Sequence, residues 1–139
     1  MTQEDEITRN LTLIEYYKQQ IESLDLQLQM LQSAQADHQR ARLTVDQLPS
    51  AEGKTEILIP AGGGVYINGI LGSSSSTMVS IGAGYVMEKT PQEAIAKLDE
   101  HIKRIQDNQE RLYQLAMRLQ NEAAELSQRT QQMMEAAQK

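Results

Sequence analysis

The chain is poor in the residues that usually build a thick core. Its 139 residues include no cysteine, phenylalanine or tryptophan, and its only aromatic side chains are five tyrosines. A chain of this length without large aromatic residues is not expected to form a thick globular core. The absence of cysteine excludes disulfide bonds and fits a reducing compartment.

Membranes and nucleic acids are not expected as partners. No apolar run approaches the roughly 20 residues that span a bilayer. The N-terminal stretch from Thr2 to Glu6 is polar and acidic, unlike a basic, apolar signal peptide, so we expect a cytoplasmic protein. The formal net charge is −6 and the lysines and arginines are scattered, whereas neutralising nucleic-acid phosphates requires clustered positive charge.

The sequence also lacks the residues of a catalytic or cofactor site. His38 and His101 are the only histidines, without the paired spacing of metal ligands, and we interpret them as a polar seam residue and a surface residue. Gly84 with Lys89 and Thr90 resembles a nucleotide-binding loop, but that motif requires glycine where Glu88 stands. An acid there would repel phosphate. We expect neither an enzyme nor a bound cofactor.

Two segments of similar length, Ile7 to Leu48 and Ile95 to Ala137, carry heptad patterns of apolar residues. In the first segment one column is Asn10, Tyr17, Leu24, Leu31, His38 and Val45, and the other is Ile7, Ile14, Ile21 and Leu28. In the second segment one column is Leu98, Ile105, Leu112, Leu119, Leu126 and Met133, and the other is Ile95, Ile102, Gln109, Ala116, Ala123, Thr130 and Ala137. Heptads predict a coiled coil. If the block between the segments reverses the chain, two antiparallel helices of roughly 60 to 70 Å follow.

One column of the first segment changes after Leu28. Gln35 and Arg42 come next in heptad spacing, but the apolar residues Ala34, Ala41 and Leu48 lie one position away. We expect these three to continue the apolar stripe on a new side, as at a stammer, which overwinds a coiled coil locally.

Turn and cap residues define the boundaries. The first helix is predicted over residues 5–48, because Pro49 disfavours helix at the residue before it and Gly53 follows. The second is predicted over residues 91–137, with Thr90 as N-cap, Pro91 at the first helical position and Glu93 as capping-box acid.

The block over residues 54–89 reads as two β-hairpins. In the first hairpin, a strand from Ile57 stops at Pro60, the chain turns over Ala61 to Gly64, and a second strand runs from Val65 to Ile70 or Leu71. In the second hairpin, the strands Met78 to Ile81 and Tyr85 to Met87 flank the turn Gly82 to Gly84. Both hairpins are apolar on more than one face, which predicts that other subunits cover them. The residues expected in that subunit interface are Ile57, Ile59, Val65, Ile67, Val79, Ile81, Tyr85 and Val86. The chain is thus predicted to be one α+β domain, residues 1–139.

The whole chain resembles the prefoldin family, in particular its archaeal alpha-type subunits. The resemblance rests on Leu58 to Pro60, Gly62 to Ile67, Val79 to Val86 and Glu88 to Ala94, placed between coiled-coil segments. Its most specific part is Ile81 to Ala94, where a glycine turn leads into the capped helix. The hairpin count points the same way, because alpha-type subunits have two hairpins here and beta-type subunits have one.

This resemblance implies a heterohexamer of two alpha and four beta subunits. The hairpins would assemble into an intersubunit double β-barrel that carries six coiled-coil arms. The arm tips would bind unfolded polypeptide without ATP and pass it to a group II chaperonin.

Residue patterns support client binding at the same tips. The apolar residues there exceed what one narrow seam can bury, and the candidates are Ile7, Leu11, Leu13, Ile14, Leu126, Met133 and Met134. Leu11, Leu13 and Met134 lie beside the seam and are the stronger candidates. The others are also explained as ordinary seam residues. Weak packing at Asn10, Ala123, Thr130 and Ala137 is expected to let the helices splay.

Two functions remain open on the residue patterns alone. A holdase requires exposed apolar tips, whereas a structural or tethering coiled coil requires a well-packed tip with one defined partner. The resemblance favours the holdase.

Overall fold

The structure, a computed structural model, describes residues 2–48 and 55–138. In chain order its elements are α1 (Gln3–Asp46), β1 (Glu56–Gly62), β2 (Val65–Ile70), β3 (Thr77–Gly82), β4 (Tyr85–Lys89) and α2 (Pro91–Ala137). The predicted α+β arrangement of two long helices and two central hairpins is confirmed. The predicted helix stop at Pro49 and the linker glycine Gly53 lie outside the described residues.

The described chain forms two compact units. The helical unit contains residues 2–35 and 104–138, and the strand unit contains residues 36–48 and 55–103.

Side-chain caps define where both helices begin. At α1 the Thr2 hydroxyl accepts the Asp5 amide N–H at 3.2 Å and the Asp5 carboxylate accepts the Thr2 N–H at 3.3 Å. This reciprocal capping box starts α1 two residues earlier than predicted. At α2 the Glu93 amide donates to the Thr90 hydroxyl at 3.2 Å, which confirms the predicted cap.

The heptad columns form the seam of the helical unit. Leu24 and Ala116 are buried there, and the neighbouring column positions are half-buried. Within this unit the helices run antiparallel, since the Asn10 amide lies 3.8 Å from the Met133 sulfur near one end, whereas Leu31 and Leu112 line one groove near the other.

The structure shows the expected switch of the apolar stripe only in part. Ala34 and Leu48 are half-buried as predicted, whereas Ala41 is exposed. Gln35 in the helical unit and Arg42 in the strand unit, at the original heptad positions, are half-buried as well. Arg42 holds its position because its guanidinium pairs with Asp99 of α2 and its aliphatic stem can cover apolar surface.

The two hairpins of the strand unit have the same strand pairing. Ile59 pairs with Ile67 and Leu58 with Asn68 in the first hairpin; twenty residues further along, Val79 pairs with Met87 and Met78 with Glu88. Both pairs are antiparallel and both have an irregular register just before the turn. The two hairpins share few residue types outside the turns, so this repeat is difficult to detect in the sequence.

The two turns also share a backbone conformation. The φ angles are 102°, 60° and 79° at Gly62, Gly63 and Gly64, and 104°, 53° and 81° at Gly82, Ala83 and Gly84. Positive φ at both central residues is the requirement of a two-residue hairpin turn that matches strand twist. Glycine supplies this conformation at little cost, whereas Ala83 adopts it with strain.

Pro60 does not end β1 as predicted. The strand continues to Gly62, and Pro60 pairs with Tyr66. A two-stranded sheet has only edge strands, so a proline can be accommodated where its missing N–H would face away from the partner.

The cap at Thr90 provides a test of the fold. Thr90→Ala removes the hydroxyl that accepts the Glu93 N–H and should lower the free energy of unfolding by about 1 kcal/mol. The matched control is Thr8→Ala, because the exposed Thr8 hydroxyl donates only to the Glu4 carbonyl of its own helix. Urea unfolding followed by circular dichroism measures both variants, and equal losses would contradict the capping role.

Candidate functional site

The residues predicted to contact clients divide into two groups in the helical unit. Residues 2–22 and 118–138, which we call the terminal region, contain all seven. Leu11, Leu13 and Met134 are exposed, at 48%, 38% and 41% of their possible surface. The other four, Ile7, Ile14, Leu126 and Met133, are half-buried along the seam. The terminal region therefore presents apolar side chains that the helix pair leaves partly exposed.

Tyr16 is a further exposed side chain of this region that the sequence analysis missed. It is 54% exposed and lines a groove on α1 together with Leu11 and Glu15. Heptad spacing assigned the adjacent Tyr17 to the seam, and the same spacing, applied to its neighbour, would have placed Tyr16 on the outside.

The helices are closely packed at Thr130, contrary to the weak packing predicted at that position. Thr130, expected to pack weakly, is only 1% exposed, and its hydroxyl donates to the Leu126 carbonyl at 2.7 Å. The Gln3 side-chain amide also reaches the Met133 carbonyl, at 3.4 Å. The small side chain of Thr130 is accommodated within the contact, and its internal hydrogen bond makes burial of the hydroxyl tolerable.

A tyrosine and a carboxylate add a polar link across this seam. The pKa of Tyr17 is raised, first by desolvation and then by the nearby negative charge of Glu122 and their hydrogen bond. The protonated Tyr17 hydroxyl donates to the Glu122 carboxylate, and this pairing stabilises the protonated form.

The second candidate surface is the pair of hairpins in the strand unit. Of the eight residues predicted in a subunit interface, Val79 is half-buried, and the other seven are exposed: Ile57, Ile59, Val65, Ile67, Ile81, Tyr85 and Val86. Val79 lines a groove with His38, Val45 and Leu98.

Both faces of the hairpins are apolar. Exposed residues that the sequence analysis did not single out are Leu58, Tyr66, Ile70, Met78 and Met87. In the described residues each hairpin is a separate two-stranded sheet, so its outer edges have no strand partner. Exposed apolar surface next to open strand edges is the signature of an interaction surface.

The two histidines lie close together in the strand unit. His38 is half-buried in the seam as predicted, but His101 is not the surface residue we expected: the two rings meet edge to face with their centres 5.6 Å apart. Within residues 2–48 and 55–138, no group of three or more His, Cys, Asp or Glu side chains is arranged to hold a metal ion. None of the helices in the described part of the chain is long and apolar enough to cross a membrane.

Comparison with known protein families identifies the class. The family model described as prefoldin subunit matches residues 17–136. The chain belongs to the prefoldin family and is therefore a chaperone subunit.

The similar proteins point to the alpha type. The chain is 34% identical to prefoldin subunit alpha of Pyrococcus horikoshii, over 81% of this chain and 79% of that protein. It is 42% identical to prefoldin subunit alpha of Methanococcoides burtonii, with 58% of this chain and 59% of that protein covered. The resemblance to alpha-type subunits is thus confirmed.

Two solved structures share the fold. A cryo-EM structure of filamentous prefoldin from Methanocaldococcus jannaschii matches with a TM-score of 0.73 at 21% identity, covering 83% of this chain and 95% of that chain. The crystal structure of the prefoldin beta subunit from Thermococcus strain KS-1 matches with a TM-score of 0.63 at 18% identity, covering 91% of this chain and 90% of that chain.

The buried threonine allows the packing of the terminal region to be tested. Thr130→Leu adds volume to a site without free space and should destabilise the local helix pairing by about 1 to 3 kcal/mol. Amide hydrogen exchange should then speed up in residues 2–20 and 120–138. The nearly isosteric Thr130→Val is the control and should exchange much like the original chain. Unchanged exchange in Thr130→Leu would show that the seam is loose at this position.

Proposed function

We propose that this chain is the alpha-type subunit of an ATP-independent holdase, not an enzyme. It binds unfolded or nascent polypeptides at the terminal region and prevents their aggregation. The observation that carries the proposal is the exposure of Leu11, Leu13 and Met134 beside the seam. The exposed parts of these side chains are available to an unfolded client, and methionine adapts to irregular apolar partners.

In this proposal the subunits assemble through their strand units. Two alpha-type and four beta-type subunits form a heterohexamer, in which the hairpins join into an intersubunit β-barrel. The apolar faces and open strand edges support this arrangement, because both are covered when strands of neighbouring subunits pair. The similarity to a solved prefoldin beta subunit makes beta-type chains the natural partners.

The remaining parts of the proposal rest on family membership. The complex works in the cytoplasm and delivers its clients to a group II chaperonin. Neither membrane nor nucleic acid has a part in this activity, and the function requires no cofactor.

A tethering scaffold is the second candidate function. The close packing around Thr130 favours it, because a well-packed tip suits a coiled coil that holds one defined partner. The exposed side chains beside the seam distinguish the two, since a holdase needs them for many clients.

Client binding at the terminal region predicts a specific loss of activity. In the complex assembled with beta-type subunits, the variant Leu11→Gln, Leu13→Gln, Met134→Gln should suppress aggregation of a denatured model protein less well than the original complex. At roughly 25 cal/mol per Å² of apolar surface, removing these contacts weakens each encounter substantially. Light scattering without nucleotide is the measurement.

The matched control removes the same residue types elsewhere on the helices. Leu26→Gln, Met30→Gln and Leu43→Gln replace exposed apolar side chains outside the terminal region. This control should protect as well as the original complex. Equal loss in both variants would place client contacts along the whole coiled coil, and no protection by the original complex would favour the scaffold.

Assembly through the strands predicts a separate effect. Val86→Asp puts a charge on a face that is exposed in the single chain but covered in the proposed barrel, so the variant subunit should fail to join beta-type subunits. Val86→Thr keeps the branched shape without charge and should assemble. Native mass spectrometry distinguishes the outcomes, and a complete complex with Val86→Asp would refute the strand placement.

A further inference from the structure

The terminal region combines its exposed apolar side chains with an excess of negative charge. It contains eight carboxylates and four basic side chains, a net charge of −4 out of the −6 of the whole chain. The acids are Glu4, Asp5, Glu6, Glu15, Glu22, Glu122, Glu125 and Glu135, and the basic residues are Arg9, Lys18, Arg118 and Arg129. A client that binds here meets a negative field as well as apolar surface.

Helix stability does not account for all of this charge. Glu4, Asp5 and Glu6 lie in the first turn of α1, where the positive end of the helix dipole favours acids. Among the described residues, the last turn of α2 contains Glu135 and no basic residue, so Glu135 lies near the negative end of the helix dipole, where an acid is unfavourable. These helix ends are neighbours, since Gln3 reaches the Met133 carbonyl.

Several of these carboxylates are available to a partner. Glu4, Glu6 and Glu15 are exposed, and none of them forms an ion pair with any residue in the described part of the chain. Glu15 lines the same groove as Leu11 and Tyr16. One extended segment lying in that groove would therefore contact apolar side chains and a carboxylate together.

We propose that the terminal region selects unfolded segments in which apolar residues alternate with lysine and arginine. The inference rests on the proposed holdase function and specifies the class of client. The apolar side chains supply contact area, and the negative field speeds the approach of basic segments and opposes that of acidic ones. The preference is electrostatic between exposed groups, so salt weakens it.

The test uses two fluorescent peptides and the complex assembled with beta-type subunits. The peptides share the same apolar residues, and every polar position is lysine in one and glutamate in the other. Fluorescence anisotropy is measured at about 0.01 M and about 1 M salt, where the Debye length falls from about 30 Å to about 3 Å. We expect the lysine peptide to bind at least roughly tenfold more tightly at low salt, with little difference remaining at high salt.

Charge-removal variants assign the preference to this chain and region. Glu4→Gln, Glu6→Gln and Glu15→Gln together keep the capping Asp5 and the Glu122 that interacts with Tyr17. The control, Asp25→Asn, Asp107→Asn and Glu110→Gln, changes the net charge equally outside the terminal region, and glutamine at 110 can still accept from Gln114. Only the first variant should lose most of the low-salt preference. Circular dichroism checks that both keep their helices.

The outcomes distinguish failure of the client preference from failure of the proposed holdase function. Equal binding of the two peptides at low salt, or equal losses in the two variants, would overturn the client preference while leaving the holdase function in place. If neither peptide binds and the complex fails to suppress aggregation, the holdase function itself is wrong, and this inference is wrong with it.

Discussion

A two-stranded sheet leaves one edge of each of its strands without backbone partners, and this constraint governs the strand unit. Both hairpins are of this kind within the described residues, and both expose apolar side chains on two faces. Hydrogen-bonding groups and apolar surface are thus left open at the same place. Isolated hairpins are marginal in water, so pairing with beta-type subunits, as proposed, would stabilise this unit.

The seam between the helices follows a different rule. Polar residues are half-buried at the heptad positions of Gln35 and Arg42, and Thr130, not a large apolar residue, is the most buried side chain among the described residues. A two-helix coil buries only a narrow stripe, so the register is maintained by the repeat as a whole and by particular contacts such as Arg42 with Asp99. Large apolar residues outside the stripe consequently remain on the surface.

Local signals in the sequence predicted much of this fold. Heptads, the Thr90 cap and the turn glycines act over a few residues, so they identified the helices and both hairpins. Longer-range effects were missed. The extension of β1 through Pro60 depends on strand pairing, and the position of His101 depends on the helix opposite. The burial of Thr130 depends on how closely the helices approach, which composition alone does not reveal. For the candidate site, heptad spacing distinguished the exposed Leu11 and Met134 from the seam residues. The exposed Tyr16 was not predicted.

In the proposed function the two surfaces of this chain depend on each other. The exposed apolar residues of one terminal region are few, and a flexible client loses entropy wherever it is held, so a single chain would offer only weak binding. Several terminal regions linked in one assembly raise the effective concentration of contacts on one client, and weak sites then act together. Weak individual contacts also allow release, which a holdase requires. In this proposal the apolar hairpins that join the subunits are therefore also what would make weak binding sites useful.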